Sequence, residues 1–193
     1  MGKPNFFYLC AMIGKFLSHL IFKIFGWHVK GRIPQDIKKC IMIAVPHTSN
    51  WDLLFARCAF YIMGVDLRYT IKKEAMVGPL GWLLKHLGAL PVDRSKNNSL
   101  VQGMIDILNK SEEMVIMVTP EGTRKYQPRW RKGFYYTAVG ANVPIVLGYL
   151  DYAKKEAGVG PVFYPTGNVE GDIEEIKKFY RTKTAKYPAQ GVR

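Results

Sequence analysis

The chain has 193 residues, long enough for one domain with a sizeable core, and its 28 Lys+Arg against 15 Asp+Glu leave a net charge of +13. Such a surface seeks polyanions: an anionic membrane, a phosphorylated substrate or nucleic acid. Cys10, Cys40 and Cys58 have neither a disulfide-framework nor a metal-ligand spacing, which excludes a cysteine-stapled secreted scaffold and reads as reduced thiols.

At the amino terminus Phe6, Leu9, Ile13, Phe16, Leu17, Leu20 and Ile24 recur at helical spacing, with Lys15, His19 and Lys23 on another face. Two interior lysines argue against a transmembrane span, which needs ~20 largely uncharged residues. A secretory signal would want a basic start, an unbroken apolar core and a small-residue cleavage site. Residues 1–30 are therefore expected to be an amphipathic helical segment lying in the membrane interface, with a helix packed on the protein's own core as the competing reading.

The run Cys40 to Val45 is short, continuous and rich in β-branched residues, as in a strand buried on both faces. Pro46 ends it, Thr48, Ser49 and Asn50 are N-cap candidates, and Leu53, Leu54, Ala56, Arg57 and Phe60 suit a helix. This strand-to-helix turn carries His47 and Asp52, five positions apart. Inside a regular helix that step would separate the side chains by about 140°, so the turn is what lets them meet. A neutral imidazole oriented by a carboxylate can take a proton from a hydroxyl or from water.

Strand-like and helical runs then alternate. Leu67 to Ile71 reads as a strand, Glu74 to Leu87 as a helix interrupted at Gly78-Pro79, Ala89 to Val92 as a strand, and Leu100, Met104, Ile105 and Leu108 as a helix face. Met114 to Val118 is a buried strand, Lys132 to Gly140 a helix, and Val143 to Leu147 and Pro161 to Tyr164 strands. Asp172 to Arg181 closes the series, acidic at its start and basic at its end. The tail through Lys183 and Lys186 reads as a solvated surface. The alternation predicts an α/β fold: a single domain with a largely parallel sheet flanked by helices, preceded by the amphipathic helix, with ligands beyond the carboxyl ends of the strands.

Three further turns carry cations at strand ends: Lys72 after the second strand, Gly88 to Ser95 with Arg94, and Thr119-Pro120-Glu121-Gly122-Thr123-Arg124-Lys125. Glycine lets a backbone approach a ligand closely, and arginine binds phosphate bidentately. In a parallel sheet His47, Asp52, Lys72, Arg94, Glu121 and Arg124 would surround one cleft. His19, His28 and His86 have no paired ligand spacing, so no metal is expected, and Cys40 and Cys58 lie in apolar runs that disfavour a thiolate.

His47 and Asp52 in H-x4-D, Gly88 to Arg94, Pro120 to Arg124 and Val143 to Val146 resemble, in order, the four blocks of the glycerolipid acyltransferase family, typified by 1-acyl-glycerol-3-phosphate acyltransferases. The resemblance implies an acyltransferase domain over residues 31–193, without a cofactor, that moves an acyl group from acyl-CoA or acyl carrier protein to a lipid hydroxyl. By that resemblance His47 is the catalytic base and Asp52 its partner. Lys72, Arg94, Glu121, Gly122, Thr123 and Arg124 bind the acceptor or shape its site, and Val143 and Pro144 lie near the acyl donor. Membrane lipids and the donor are the expected partners, with no nucleic acid, at the cytoplasmic face of a membrane. Asn50-Trp51, Lys125-Tyr126 and Gly148 to Tyr152 depart from the usual continuations, so other lyso-lipid acceptors stay open. So do a thioesterase using the same pair on water and a basic membrane- or nucleic-acid-binding protein without catalysis.

Overall fold

The strand that delivers His47, β2 (Lys39–Val45), is buried on both sides, and its side chains divide between two cores. Cys40 and Met42 face one core, Ile41, Ile43 and Val45 the other, as the two-residue period of a strand requires. This computed structural model describes residues 6–72, 74, 76–86, 88–92 and 97–193.

In chain order the elements are α1 (Phe6–Phe25), β1 (His28–Lys30), β2, α2 (Trp51–Met63), β3 (Leu67–Lys72), α3 (Gly78–His86), β4 (Ala89–Val92) and α4 (Asn97–Lys110). Then come β5 (Met114–Val118), α5 (Gly133–Gly140), β6 (Ile145–Asp151), β7 (Glu156–Phe163), α6 (Val169–Arg181) and a 3-10 turn at Pro188–Gln190. Among the described residues seven strands form one sheet, ordered β1-β7-β6-β2-β5-β3-β4. β6, β2, β5, β3 and β4 run parallel, whereas β7 pairs antiparallel with β6 and carries β1 parallel to itself at the edge. Phe60 of α2 packs on Cys40 and Met42. On the opposite face Met104 and Leu108 of α4, Phe134, Tyr135 and Ala138 of α5, and Ile173, Ile176 and Tyr180 of α6 cover Ile41 and Ile43. The expected α/β domain with a mostly parallel sheet is what forms.

Three local expectations differ. β7 begins at Glu156 rather than Pro161, because Gly158 and Gly160 break its apolar pattern; a Cβ at Gly160 would stand 2.4 Å from the Phe179 ring, so packing excludes a side chain there. β1 is three residues long and half exposed, too short for any period to show. The tail is not a solvated surface: Ala185 is buried, Val192 packs on the main core, and the Thr184 carbonyl accepts from Tyr152 N–H at 2.8 Å.

The sheet hands three turns to one edge. Val45 is level with Tyr149 and Ile43 with Val118, so β2, β6 and β5 send their carboxyl ends to the same edge. Tyr180 holds this junction from below, the one proton of its buried hydroxyl shared between the carbonyls of Ile43 (3.2 Å) and Gly148 (3.1 Å).

α1 has two faces. Ser18 and Phe22 are buried against the domain, and Gly14 lies against the Tyr61 ring of α2. Ile13, Phe16, Leu17, Leu20 and Ile24 are exposed on the side away from it, with Lys15, His19 and Lys23 exposed between. No helix among the described residues is long and apolar enough to cross a membrane.

Candidate active site

A parallel strand must turn over the sheet edge to start its helix, and between Val45 and Trp51 the chain does so in five residues. The amides that open α2 find their partners within the turn. Ser49 Oγ accepts from Trp51 N–H at 3.2 Å, and Asn50 occupies the N-cap without a side-chain cap bond. Asp52, on the first turn of α2, folds its carboxylate back so that Oδ2 accepts from the amides of Thr48 (2.7 Å) and Ser49 (2.8 Å). That wraps the turn around the carboxylate and brings His47 Nδ1 to 3.3 Å from Oδ2. The His47 side chain is 29% exposed and that of Asp52 5%. With Nδ1 facing the acid, Nε2 is the nitrogen left to meet a substrate proton.

Burial pushes the Asp52 carboxyl up, but hydrogen bonds involving His47, Tyr152, Ser49 and Thr48 outweigh it and hold the group below the ordinary carboxylate value. The Tyr152 bond comes from the β6–β7 hairpin, 2.6 Å from Oδ1.

The turn after β5 locks onto this one. Glu121, 3% exposed, accepts from His47 N–H through Oε2 at 2.8 Å. Arg124, exposed at the surface, donates to Asn50 Oδ1. Gly122 has φ 65°, in the left-handed region that favours glycine, and a Cβ there would stand 2.7 Å from Arg131 Nε, so the arginine side chain would have to shift. Thr123 Oγ1 accepts from Lys125 N–H at 3.3 Å and stiffens the loop. Thus His47, Asp52, Glu121, Gly122, Thr123 and Arg124 come together. Lys72 ends β3 at the same edge, paired with Val92 through the backbone, and Arg94 lies outside the described residues. Val143 and Pro144 stand at the other end of β6, where the Pro144 carbonyl accepts from Ile41 N–H.

One cavity opens beside the dyad and a second beside the β5 turn. One, about 700 Å³ including its mouth, runs from His47 and Asp52 between α2 and the sheet, lined by Leu53, Ala56, Phe60, Met63, Met117 and Leu150. The other, about 1180 Å³, lies on the opposite face against α4 and α5 and is more polar, with Thr70, Thr119, Gly122 and Arg131 on its wall. Arg131 has a faint sequence signal in the cationic run Arg129 to Lys132, but nothing local distinguishes it from a solvated charge. The tail also reaches the site: Lys186 Nζ sits 4.7 Å from the centre of the Trp51 ring, Arg193 Cζ 4.8 Å from that of Tyr126, and Tyr187 N–H points to Thr48 Oγ1 at 3.4 Å. Among the described residues no cluster of His, Cys, Asp and Glu is arranged to hold a metal.

Glu121 shows the opposite balance to Asp52. Burial raises its carboxyl from 4.5 to about 7, with the Asp52 charge adding and the His47 amide and imidazole opposing. Its folded value exceeds its unfolded one, so its contribution to stability is whole below about 4.5 and is lost as pH rises through about 7. Glu121→Gln keeps an acceptor for the His47 amide and cannot ionise. Melting temperatures between about pH 4.5 and about pH 8 should therefore fall more steeply for wild type than for this variant, and parallel curves would exclude a raised carboxyl.

Comparison with known proteins agrees with this geometry. A family model described as Acyltransferase matches residues 27–147, a span that contains both locked turns. The 1-acyl-sn-glycerol-3-phosphate acyltransferase of Streptococcus pneumoniae is 31% identical over 100 residues, which are 51% of this chain and 36% of that protein. The crystal structure of the 1-acyl-sn-glycerophosphate acyltransferase from Thermotoga maritima matches 91% of this chain and 81% of that one, with a TM-score of 0.59 at 14% identity, a likeness of fold. Because the family match takes in well over half of the sequence, the chain belongs to the acyltransferase family.

Proposed function

We propose that the protein transfers a fatty acyl group from an acyl thioester, acyl-CoA or acyl carrier protein, to the hydroxyl of a lyso-glycerolipid, with 1-acyl-glycerol-3-phosphate as the first candidate acceptor. The observation that carries this reading is the His47–Asp52 pair at the mouth of an apolar cavity, beside a turn that presents Arg124. In this reading the acceptor hydroxyl gives its proton to His47 Nε2 as its oxygen bonds to the thioester carbonyl carbon. The C–S bond then breaks, and the departing sulfur takes the proton from the imidazolium. The apolar cavity beneath α2 takes the acyl chain. Arg124 and Arg131 are placed to meet a phosphate on the acceptor, one from each side of the loop they share.

The same reading places the chain at the cytoplasmic face of a membrane, bound without spanning it. The exposed apolar side of α1 continues through Phe25 to Trp51, whose rings lie 6.0 Å apart, and to Leu53 at the cavity mouth. A lipid would thus enter from the bilayer directly into the site. The net charge of +13 favours anionic headgroups, and the buried thiols Cys40 and Cys58 are free.

Mass-spectrometric assay with both donor types and a panel of lyso-acceptors should give one acylated lipid, and His47→Ala should lower its formation about 10²–10⁴-fold while the protein stays folded. A folded variant that keeps most of its activity would remove His47 from this role. Arg124→Ala should raise the acceptor KM more than it lowers kcat; an unchanged KM would place the phosphate elsewhere. Phe16→Glu with Leu20→Glu, at positions 70% and 45% exposed, should reduce flotation with anionic vesicles at least about tenfold, because each lost apolar contact is worth ~1.5–3 kcal/mol. Equal flotation would take α1 off the membrane.

A further inference from the structure

One contact of the dyad's carboxylate comes from outside residues 27–147, the stretch the family model matches. Tyr152 stands in the β6–β7 hairpin, and among the described residues its hydroxyl is the donor to Asp52 Oδ1. The other oxygen, Oδ2, is shared by two turn amides and the imidazole. A carboxylate held through one oxygen can pivot about it. A second donor on the far oxygen removes that freedom.

Tyr152 is itself held in place. Its ring meets Trp27 edge-on at 5.0 Å between centroids and Phe55 at 6.1 Å, and its N–H donates to the Thr184 carbonyl at 2.8 Å. Trp27 in turn stacks on Phe55 at 4.3 Å. The hydroxyl is therefore located by three separated segments: the chain leaving α1, the first turns of α2, and the tail. Burial, then the Asp52 charge, keeps the phenol far above neutral pH, so it stays a donor.

We infer that Tyr152 is a positioning residue: its hydroxyl, located by the junction of α1 with the domain and by the tail, fixes the Asp52 carboxylate so that Oδ2 faces His47. The kinetic part of this inference rests on the acyl-transfer reading; the geometric part does not. Without that donor the carboxylate can turn Oδ2 away from Nδ1, which weakens its hold on an imidazolium. The other groups facing the pair are Glu121 from the β5 turn, Arg124 held on Asn50, Tyr187 near Tyr152, and Lys186 over Trp51.

Tyr152→Phe keeps the ring and removes the donor. In a histidine-selective NMR titration of the full chain, with His47→Ala used for assignment, the midpoint of the His47 imidazole should move down by about half a unit or more in the variant. The acid limb of the rate profile should move the same way, with kcat down about tenfold and the acceptor KM unchanged. Loss of packing alone would lower the melting temperature and leave the midpoint in place. An unmoved midpoint overturns the inference. A moved midpoint in a protein whose wild type transfers no acyl group from either donor supports the positioning role and overturns the acyl-transfer reading instead. Trp27→Leu should shift the midpoint when Tyr152 is present and not in the Tyr152→Phe background; a shift of equal size in both would take Trp27 out of the linkage.

Discussion

The site depends on one buried carboxylate. Asp52 is almost wholly withdrawn from water, and an ionised group so placed must be met by donors or it neutralises. The turn amides of Thr48 and Ser49, the Tyr152 hydroxyl and the His47 imidazole meet it. Satisfying Asp52 therefore shapes the chain around it. The turn closes on Oδ2, which fixes the ring it carries, and the hairpin and the helix are drawn to the same point. A second carboxyl 74 residues after His47 in the chain then grips the turn from outside through the His47 amide.

The two carboxyls are both buried and yet are pushed in opposite directions. Asp52 gathers enough donors to outweigh its desolvation, whereas Glu121 has the single His47 amide and the neighbouring Asp52 charge against it. The number of donors, rather than the depth of burial, decides the difference. Asp52 thus stays ionised at neutral pH, whereas Glu121 titrates near it, at about 7. The parallel sheet makes this economical in sequence: neighbouring strands that run the same way bring their turns to one edge.

The amino-terminal helix follows a different physical logic. Its apolar stripe is the side turned away from the domain, while small and buried residues, Gly14, Ser18 and Phe22, make the contact with α2. The large apolar side chains of the outward face are thus left uncovered by the domain. At the end of the helix Phe25 turns toward α2, where its ring meets Trp51 and Phe55.

How much of this could be read in advance follows from the range of each interaction. Strand β2, its proline stop, the helix after it and the His47–Asp52 spacing are local patterns, and so are the glycine and arginine of the β5 turn; each is written in fewer than about eight neighbouring residues. The acceptor of Arg124, Asn50, and the hold of Glu121 on His47 N–H are not local, although the residues themselves had been singled out. Tyr152 and Arg131 carry at most a faint local mark. A tyrosine in a hairpin and an arginine in a cationic run look like surface, and 100 residues separate Tyr152 from the carboxylate it bonds. The tail misled for the same reason, since Lys183 and Lys186 read as solvated charge, whereas their ammonium groups sit over the Tyr149 and Trp51 rings. By itself, then, the sequence determined the alternation of elements, the His47–Asp52 pair, and the cationic turn, because these rest on periodicity and on chain-adjacent residue types. Only the tertiary structure decided which donors reach Asp52, which face of α1 is left uncovered, and where the tail lies, because those depend on segments distant in the chain meeting at one edge of the sheet.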